Sequence, residues 1–440
     1  MLRTMTEASN SHVLGTPDSL RASRRQARAQ LRGRQPDAQA LQDVQALLGP
    51  RPAEGYRHDW LIEYLHRIND AHGALSRPHL VALAHEMNLV MAQVIEVASF
   101  YHHFQILDDG EQAPSLTVRV CESLSCSLQG ASSLLTRVSE LLGPTVRVIP
   151  APCVGRCEQA PVAVVGQRAL GHATPANVQS LVAQGQHQDP GVSETLSYAD
   201  YRSNGGYSLA AAVVNGETPV DDVLHTVEAS GLRGLGGAGF PMGRKWRIVR
   251  EQPGPRYLVV NLDEGEPGTF KDRTYLERDP HRFLEGVLIA AQVVGTAQVF
   301  IYLRDEYHGC RALLERALAD LTQEPPCPLP DIELRRGAGA YICGEESALL
   351  ESLEGKRGEP RKRPPYIAQV GLWGRPTLAH NFETLYWVRE IVERGATWFA
   401  SHGRHGRQGL RSFSVSGRVK EPGVKLAPAG ITLRELIHEH

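Results

Sequence analysis

Four of the seven cysteines fall in two close pairs, Cys121-x4-Cys126 and Cys153-x3-Cys157, with 26 residues between the pairs. That spacing restricts the fold more than any other pattern in the chain. Each pair follows a stretch that reads as a strand. Leu116, Val118 and Val120 alternate with polar residues up to Cys121, and Val146 and Val148 lead towards Cys153. Two such strands, with their following loops at one end of a sheet, bring four thiols into a single cage. A cage of this kind holds an iron–sulfur cluster or a zinc ion; plain buried or disulfide-bonded cysteine is the third reading. The wide loops favour a cluster, whose two irons sit further apart than the ligands of one zinc require. Disulfide staples are not needed in a chain of 440 residues, and an odd, uneven set of cysteines suits a reduced protein. Cys310, Cys327 and Cys343 lack such pairing and read as small hydrophobes.

The rest of the chain divides around this motif. Residues 1–50 read as a flexible arm, with seven arginines and no aromatic residue in the first 40. Trp60, Leu61, Tyr64, Leu65 and Ile68 then share a helical face, and two more apolar stretches run to Phe104. Strands and helices alternate from Leu116 to a last helix near 175–184, so residues 51–185 form a helical lead-in and a compact α/β domain. Residues 186–205 read as a linker, residues 206–405 as a larger α/β domain, and residues 406–440 as the opening of a small β domain. A net charge of −2 removes the general electrostatic case for nucleic acid or an anionic membrane. The longest apolar run, residues 287–303, is broken by Gln292, Gly295, Thr296 and Gln298, which argues against membrane insertion. The expectation is a cytoplasmic protein.

Glycine loops mark the larger domain. GLRGLGGAGFPMGRKW (231–246) satisfies G-x-G-x-x-G through Gly234, Gly236 and Gly239. The standard dinucleotide fingerprint needs a strand before it, whereas residues 221–230 have helical spacing. Arg233, Arg244 and Lys245 nevertheless set cations beside backbone N–H groups, as a phosphate requires. A strand at residues 257–261 then delivers NLDEGEPGTFKDR (261–273). Its acids Asp263, Glu264 and Glu266 suit ribose hydroxyls and amides, a metal, or a solvated turn. The segment 335–366 places glycines and Glu345–Glu346 at the start of a helix, beside the flat face of Tyr341. No motif for covalent or metal-assisted hydrolysis is present.

These segments resemble known families. ASFYHHF (98–104), VCESLSCSLQG (120–130) and APCVGRCEQAP (151–161) are similar to the thioredoxin-like [2Fe–2S] subunit of respiratory complex I, which implies Cys121, Cys126, Cys153 and Cys157 as cluster ligands. From about residue 205 onward the chain resembles the FMN- and NADH-binding subunit of the same complex. The implied fold is α/β: a thioredoxin-like ferredoxin domain behind the helical segment, a Rossmann-like but non-standard FMN domain, and the start of a β-grasp (SLBB-like) domain. The resemblance implies that Gly234, Gly236, Lys245, Asn261, Asp263, Glu264, Tyr341, Gly344, Glu345 and Asn381 line FMN. Phe240, Glu266, Glu346 and Tyr366 would meet the dinucleotide, with Glu266 and Glu346 orienting its nicotinamide and ribose end. His380, Arg363 and Tyr366 depart from the common asparagine, lysine and phenylalanine.

Both modules lie on one polypeptide. DWLIEYLHRIND, YLRDEY and SVSGRVKEPGVKLAPAG, with the first glycine loop, look most like the β (diaphorase) subunit of NAD-dependent formate dehydrogenases. That likeness implies NAD(H):acceptor oxidoreductase activity through FMN and a [2Fe–2S] cluster. It also implies a separate α subunit holding a molybdenum or tungsten pterin and iron–sulfur clusters. A [4Fe–4S] cluster is expected for the family, but its cysteine motif is absent from this chain, which suggests truncation. The alternatives are the flavin subunit of an NAD-reducing hydrogenase or of complex I, and a non-catalytic electron-transfer or assembly subunit.

Overall fold

The computed structural model describes residues 34–440. Most of the arginine-rich arm therefore lies outside the described residues. Its last part does not behave as an arm: Ala38–Leu48 is a helix, capped by the Asp37 side chain and burying Ala40, Val44 and Leu48. The helical spacing of those three residues was masked by the polar composition around them.

The first sheet has four strands in the order Val146–Ala151, Leu116–Cys121, Ala163–Val165, Arg168–Leu170. The first two are parallel, with Cys121 opposite Ala151, and the remaining pairs are antiparallel. Helices Ala131–Leu142 and Pro175–Ala183 supply Leu134, Val138 and Val178 to a core shared with Val118, Val120 and Val165. The parallel pair is what sends both cysteine loops off the same end of the sheet.

The second sheet is wholly parallel, in the order Thr377–Asn381, Tyr257–Leu262, Gln298–Leu303, Asp331–Arg336. Its strands are nearly continuous apolar runs, such as Leu258, Val259 and Val260, as burial on both faces demands. Helices Pro280–Val294 and His308–Gln323 make the crossovers. The chain steps from Tyr257–Leu262 outward in one direction and returns on the other side through Thr377–Asn381. Strand order thus reverses between these two neighbours, where Asn381 stands opposite Asn261. Parallel sheets bind ligands at that reversal, beyond the carboxyl ends of the strands.

The helical lead-in shares its core with this second sheet rather than with the sheet that follows it in sequence. Leu61, Leu65, Ile68 and Val94 pack with Val259, Phe300, Tyr302 and Leu350. Buried Arg335 fastens the join, donating from Nε to Glu63 at 2.5 Å and pairing with Asp59 at 3.1 Å and Glu333 at 2.9 Å. Amphipathic spacing finds a helix and its buried face but carries no information on which sheet receives that face. The segment expected as a linker contains a short helix, Tyr198–Ser203, whose tyrosines are buried. The last strands, Leu410–Val415 and Gly423–Pro428, form an antiparallel pair, followed by the helix Leu433–Glu439. No helix among the described residues is long and apolar enough to cross a membrane.

Candidate functional site: a thiol cage beside a glycine-walled cavity

The four paired cysteines are buried, unbonded to one another and gathered at one end of the first sheet. The Sγ atoms of Cys153 and Cys157 lie 3.3 Å apart. Cys121 makes thiol contacts with both Cys126 and Cys153, which joins the two pairs. Cys153 is held far below the ordinary thiol range, first by hydrogen bonding from Cys121, then from Cys157, and further by the Gly155 N–H and the charge of Arg304. Cys126 is lowered as well, by its hydrogen bond with Cys121. Cys121 and Cys157 are raised, first by their hydrogen bonds to Cys126 and to Cys153 and then by burial, so the cage shares its protons between the pairs. Four convergent sulfurs screened from water are the donor set that a [2Fe–2S] cluster requires. The loop between Cys153 and Cys157 depends on Gly155, where φ is +70° and an added Cβ would stand 2.2 Å from the Tyr307 hydroxyl. Cys310 and Cys327 lie in the main core, and Cys343 in the core shared with the lead-in.

A cavity of about 580 Å³ opens where the strand order reverses, a size within the usual range for small-molecule sites. It is lined by Gly236, Asn261, Asp263, Glu264, Glu266, Tyr341, Gly344, Glu345 and Asn381, nine of the residues singled out in the sequence. Asn261 and Asn381 come from the two strands that flank the reversal, and Asn261 donates to the Gly344 carbonyl at 2.8 Å. At Gly237, on the same wall, an added Cβ would meet nothing within 4 Å, so the backbone faces open space. Exposed glycine backbone, two carboxamides, several carboxylates and a half-exposed tyrosine ring fit a flavin mononucleotide: flat ring, polyol chain and phosphate.

Gly234, Phe240, Lys245, Glu346 and Tyr366 are not in the wall of this cavity. Lys245 pairs with Glu346 at 3.1 Å, and Arg363 reaches both Glu346, at 3.3 Å, and Glu345. This chain of charges ends on Glu345, which is in the wall. Phe240 and Tyr366 remain exposed. His380 proves unrelated to the cavity surface: it is buried behind the sheet, where its Nε2 accepts from the Trp246 indole at 2.9 Å. Burial, then the nearby Lys245 charge, hold it neutral.

Sequence reasoning missed Lys271, Asp272 and the Ser412–Val415 edge, all of which line the cavity. The first two belong to the quoted NLDEGEPGTFKDR segment and could have been read there; the edge is brought in only by tertiary packing. Lys271 is buried against Asp272 at 2.7 Å and Glu383 at 3.2 Å. Desolvation opposes its charge, but the surrounding Asp272, Glu383 and Glu264 carboxylates keep its ammonium protonated. Glu264 caps the helix Lys271–Arg278, accepting from the backbone N–H groups of Asp272 at 2.9 Å and Arg273 at 3.2 Å, and from the Tyr307 hydroxyl at 3.0 Å. Burial, assisted by the neighbouring Asp272 charge, pushes Glu264 up to about 7. Asp263 is also raised to about 7 by desolvation at the cavity floor.

A second cavity, about 480 Å³, connects the two centres: Cys153 stands in its wall, and it shares Asp263, Gly265 and Tyr341 with the glycine-walled cavity. Two buried arginines fix the distance between cage and cavity. Arg304 donates to the Cys153 carbonyl at 2.6 Å and to the Glu264 carbonyl at 2.5 Å. Arg273 donates to the Gly155 carbonyl at 3.0 Å.

Known proteins share both halves. Residues 50–186 match the thioredoxin-like [2Fe-2S] ferredoxin family, and residues 227–390 match the Nuo51 FMN-binding domain. The NAD-reducing hydrogenase HoxS subunit alpha of Cupriavidus necator is 32% identical over 427 residues, covering 87% of this chain and 70% of that subunit. An NADH-quinone oxidoreductase subunit of Rhizobium meliloti is 44% identical over 249 residues, and the match spans 54% of this chain and 59% of that subunit. The crystal structure of the air-oxidized NAD+-reducing [NiFe]-hydrogenase superposes with a TM-score of 0.73 at 32% identity, over 86% of this chain and 69% of that one. A likeness this extensive, through both the cage and the cavity, leaves one assignment: the chain belongs to the family of NAD(H)-dependent flavin and iron–sulfur oxidoreductase subunits that includes the NAD-reducing hydrogenase subunit alpha.

Proposed function

We propose that the protein is the diaphorase subunit of a multisubunit, cytoplasmic NAD-dependent formate dehydrogenase, exchanging electrons between NAD(H) and its own iron–sulfur centre. The observation that carries the electron exchange is the shared cavity, which sets a cage thiol, Cys153, in the same wall as Asp263 and Tyr341 of the flavin cavity. The formate dehydrogenase assignment rests on the likeness of sequence segments such as DWLIEYLHRIND and SVSGRVKEPGVKLAPAG. Bound FMN supplies hydride exchange with NAD(H) and single-electron exchange with a [2Fe–2S] cluster, and no protein nucleophile is required. The chain's own residues bind and orient. Gly236, Gly344 and the Asn261–Asn381 pair would hold the flavin, with Tyr341 against its ring. Gly234, outside the wall and hydrogen-bonded to the Phe240 carbonyl, would shape the glycine loop that carries Gly236, and Lys245 would act on the phosphate from behind the wall. Asp263, Glu264 and Glu345 would hydrogen-bond its polar edge and polyol chain. Glu266 and Glu346 would orient the nicotinamide end of the dinucleotide, and the exposed rings of Phe240 and Tyr366 offer stacking faces for it. Cys121, Cys126, Cys153 and Cys157 would ligate the cluster.

The partner in this reading is an α subunit with a molybdenum or tungsten pterin. The likeness to the hydrogenase subunit over most of the chain favours a second reading, with a nickel–iron partner instead. An anaerobic NADH titration tests the common core. Flavin bleaching, about two irons per chain and one [2Fe–2S] spin signal are expected, and Cys153→Ser should lose the iron while keeping the flavin. A colourless protein indifferent to NADH would overturn the reading. Co-purification of a pterin enzyme or of a nickel enzyme decides between the partners.

A further inference from the structure

Away from both cavities, the helical lead-in carries a cluster that the redox chemistry does not use. Asp43 lies on the helix Ala38–Leu48, His72 ends the helix Leu61–His72, and His79 sits in the first turn of Arg77–Glu86. One ligand atom from each lies within 4.8 Å of the other two. From these three side chains we infer a zinc(II) site that pins the first helix of the lead-in to the turn between the next two.

Three observations carry it. The first is spacing: His79 Nε2 and Asp43 Oδ2 are 3.4 Å apart. Two ligands at ~2.0–2.1 Å from a tetrahedral zinc are separated by about this distance. The second is support behind the ligands. The other ring nitrogen of His79, Nδ1, is 3.0 Å from Ser76 Oγ, and the other oxygen of Asp43 accepts from the Gln39 amide at 2.9 Å. In the tautomer whose Nδ1–H donates to Ser76, the Nε2 lone pair faces the Asp43 carboxylate, an arrangement that a metal cation between them would satisfy. The third is an orphan: His72 Nε2 is shut off from solvent and has no hydrogen-bond partner, although its ring stacks on His79 at 4.2 Å. Two imidazoles and one carboxylate suit zinc, and the partial exposure of Asp43 and His79 leaves a fourth position to water. Bound metal would cross-link three helices whose packing otherwise rests on side chains such as Val44, Leu65 and Leu80.

The test uses the full chain with its iron in place, stripped of loose metal and equilibrated with zinc(II) in a chelator-buffered series. Zinc and iron per chain are measured together, beside a thermal melt. Wild type should take up one zinc more than the H72Q/H79Q double variant at equal iron content, and only wild type should gain melting temperature with zinc. Equal iron excludes zinc lodged in the four-cysteine cage. Asp43→Asn, a change at a partly exposed helix position, should weaken zinc affinity roughly tenfold or more. Equal zinc uptake by wild type and double variant, no uptake by wild type at micromolar free zinc, or unchanged affinity in Asp43→Asn would each overturn the site.

Discussion

Glu264 shows how one side chain serves the cavity and the fold together. Its carboxylate terminates a helix and supports the Tyr307 hydroxyl, yet burial raises its proton affinity from about 4.5 to about 7. A carboxyl whose folded value is raised gives its full stabilisation below its unfolded value, and that contribution is lost as pH rises through the folded value. Between about pH 4.5 and 7 the protein should therefore lose stability on this account, on the order of 1–3 kcal/mol. Urea midpoints measured across that window should fall less steeply in Glu264→Gln than in wild type. A variant as steep as wild type would remove Glu264 from the explanation and leave Asp263, which shifts the same way.

Among the elements, the helix Pro280–Val294 is the most thoroughly enclosed, with an apolar face on nearly every side. Periodicity alone reads such a stretch as an ambiguous apolar run, because amphipathic contrast disappears when all faces are covered. Gly286 explains how the neighbouring helix Phe382–Tyr386 comes so near: an added Cβ would lie 2.0 Å from the Leu385 carbonyl oxygen. Gly286→Ala must push two backbones apart, and a loss of about 3 kcal/mol is expected by urea denaturation. Since that second helix begins right after Asn381, the same variant should bind flavin more weakly; unchanged flavin retention would separate the packing from the cavity. The strand Tyr257–Leu262 was legible from its residues, and so was the helical spacing that ruled out a standard fingerprint before Gly234. The short strand Arg168–Leu170 was not, because three residues give too little alternation to register.

At the level of the whole molecule, the thiol cage and the glycine-walled cavity belong to different sheets, and their relative placement rests on buried charge. Arg304 spans the two by carbonyl contacts and is balanced by Glu306 at 3.1 Å. Arg304→Met leaves Glu306 buried without its main partner, an expected loss of about 3–5 kcal/mol. Iron per chain should fall with it, because the Cys153 loop loses its anchor. A variant that keeps full iron content and wild-type melting would show that Arg273 alone holds the loop.

The sequence by itself determined the chemistry of both centres. Cysteine spacing after two alternating strands, and acids and amides after a strand, are local patterns, and local patterns dictate which donor groups reach a loop. Nine residues of the cavity wall were legible in this way, the acids, Gly236 and Tyr341 from the local pattern and Asn261, Gly344 and Asn381 through the family resemblance. Tertiary structure decided what contacts what. The lead-in helices settle on the second sheet, the Ser412–Val415 edge closes the cavity, and Phe240, Lys245 and Tyr366 stay outside its wall. It also hid His380 behind the sheet and brought Asp43 to His72 and His79. These pairings join residues far apart in the chain. They are set by which apolar faces and buried charges match one another in three dimensions, and no short stretch of sequence carries that information.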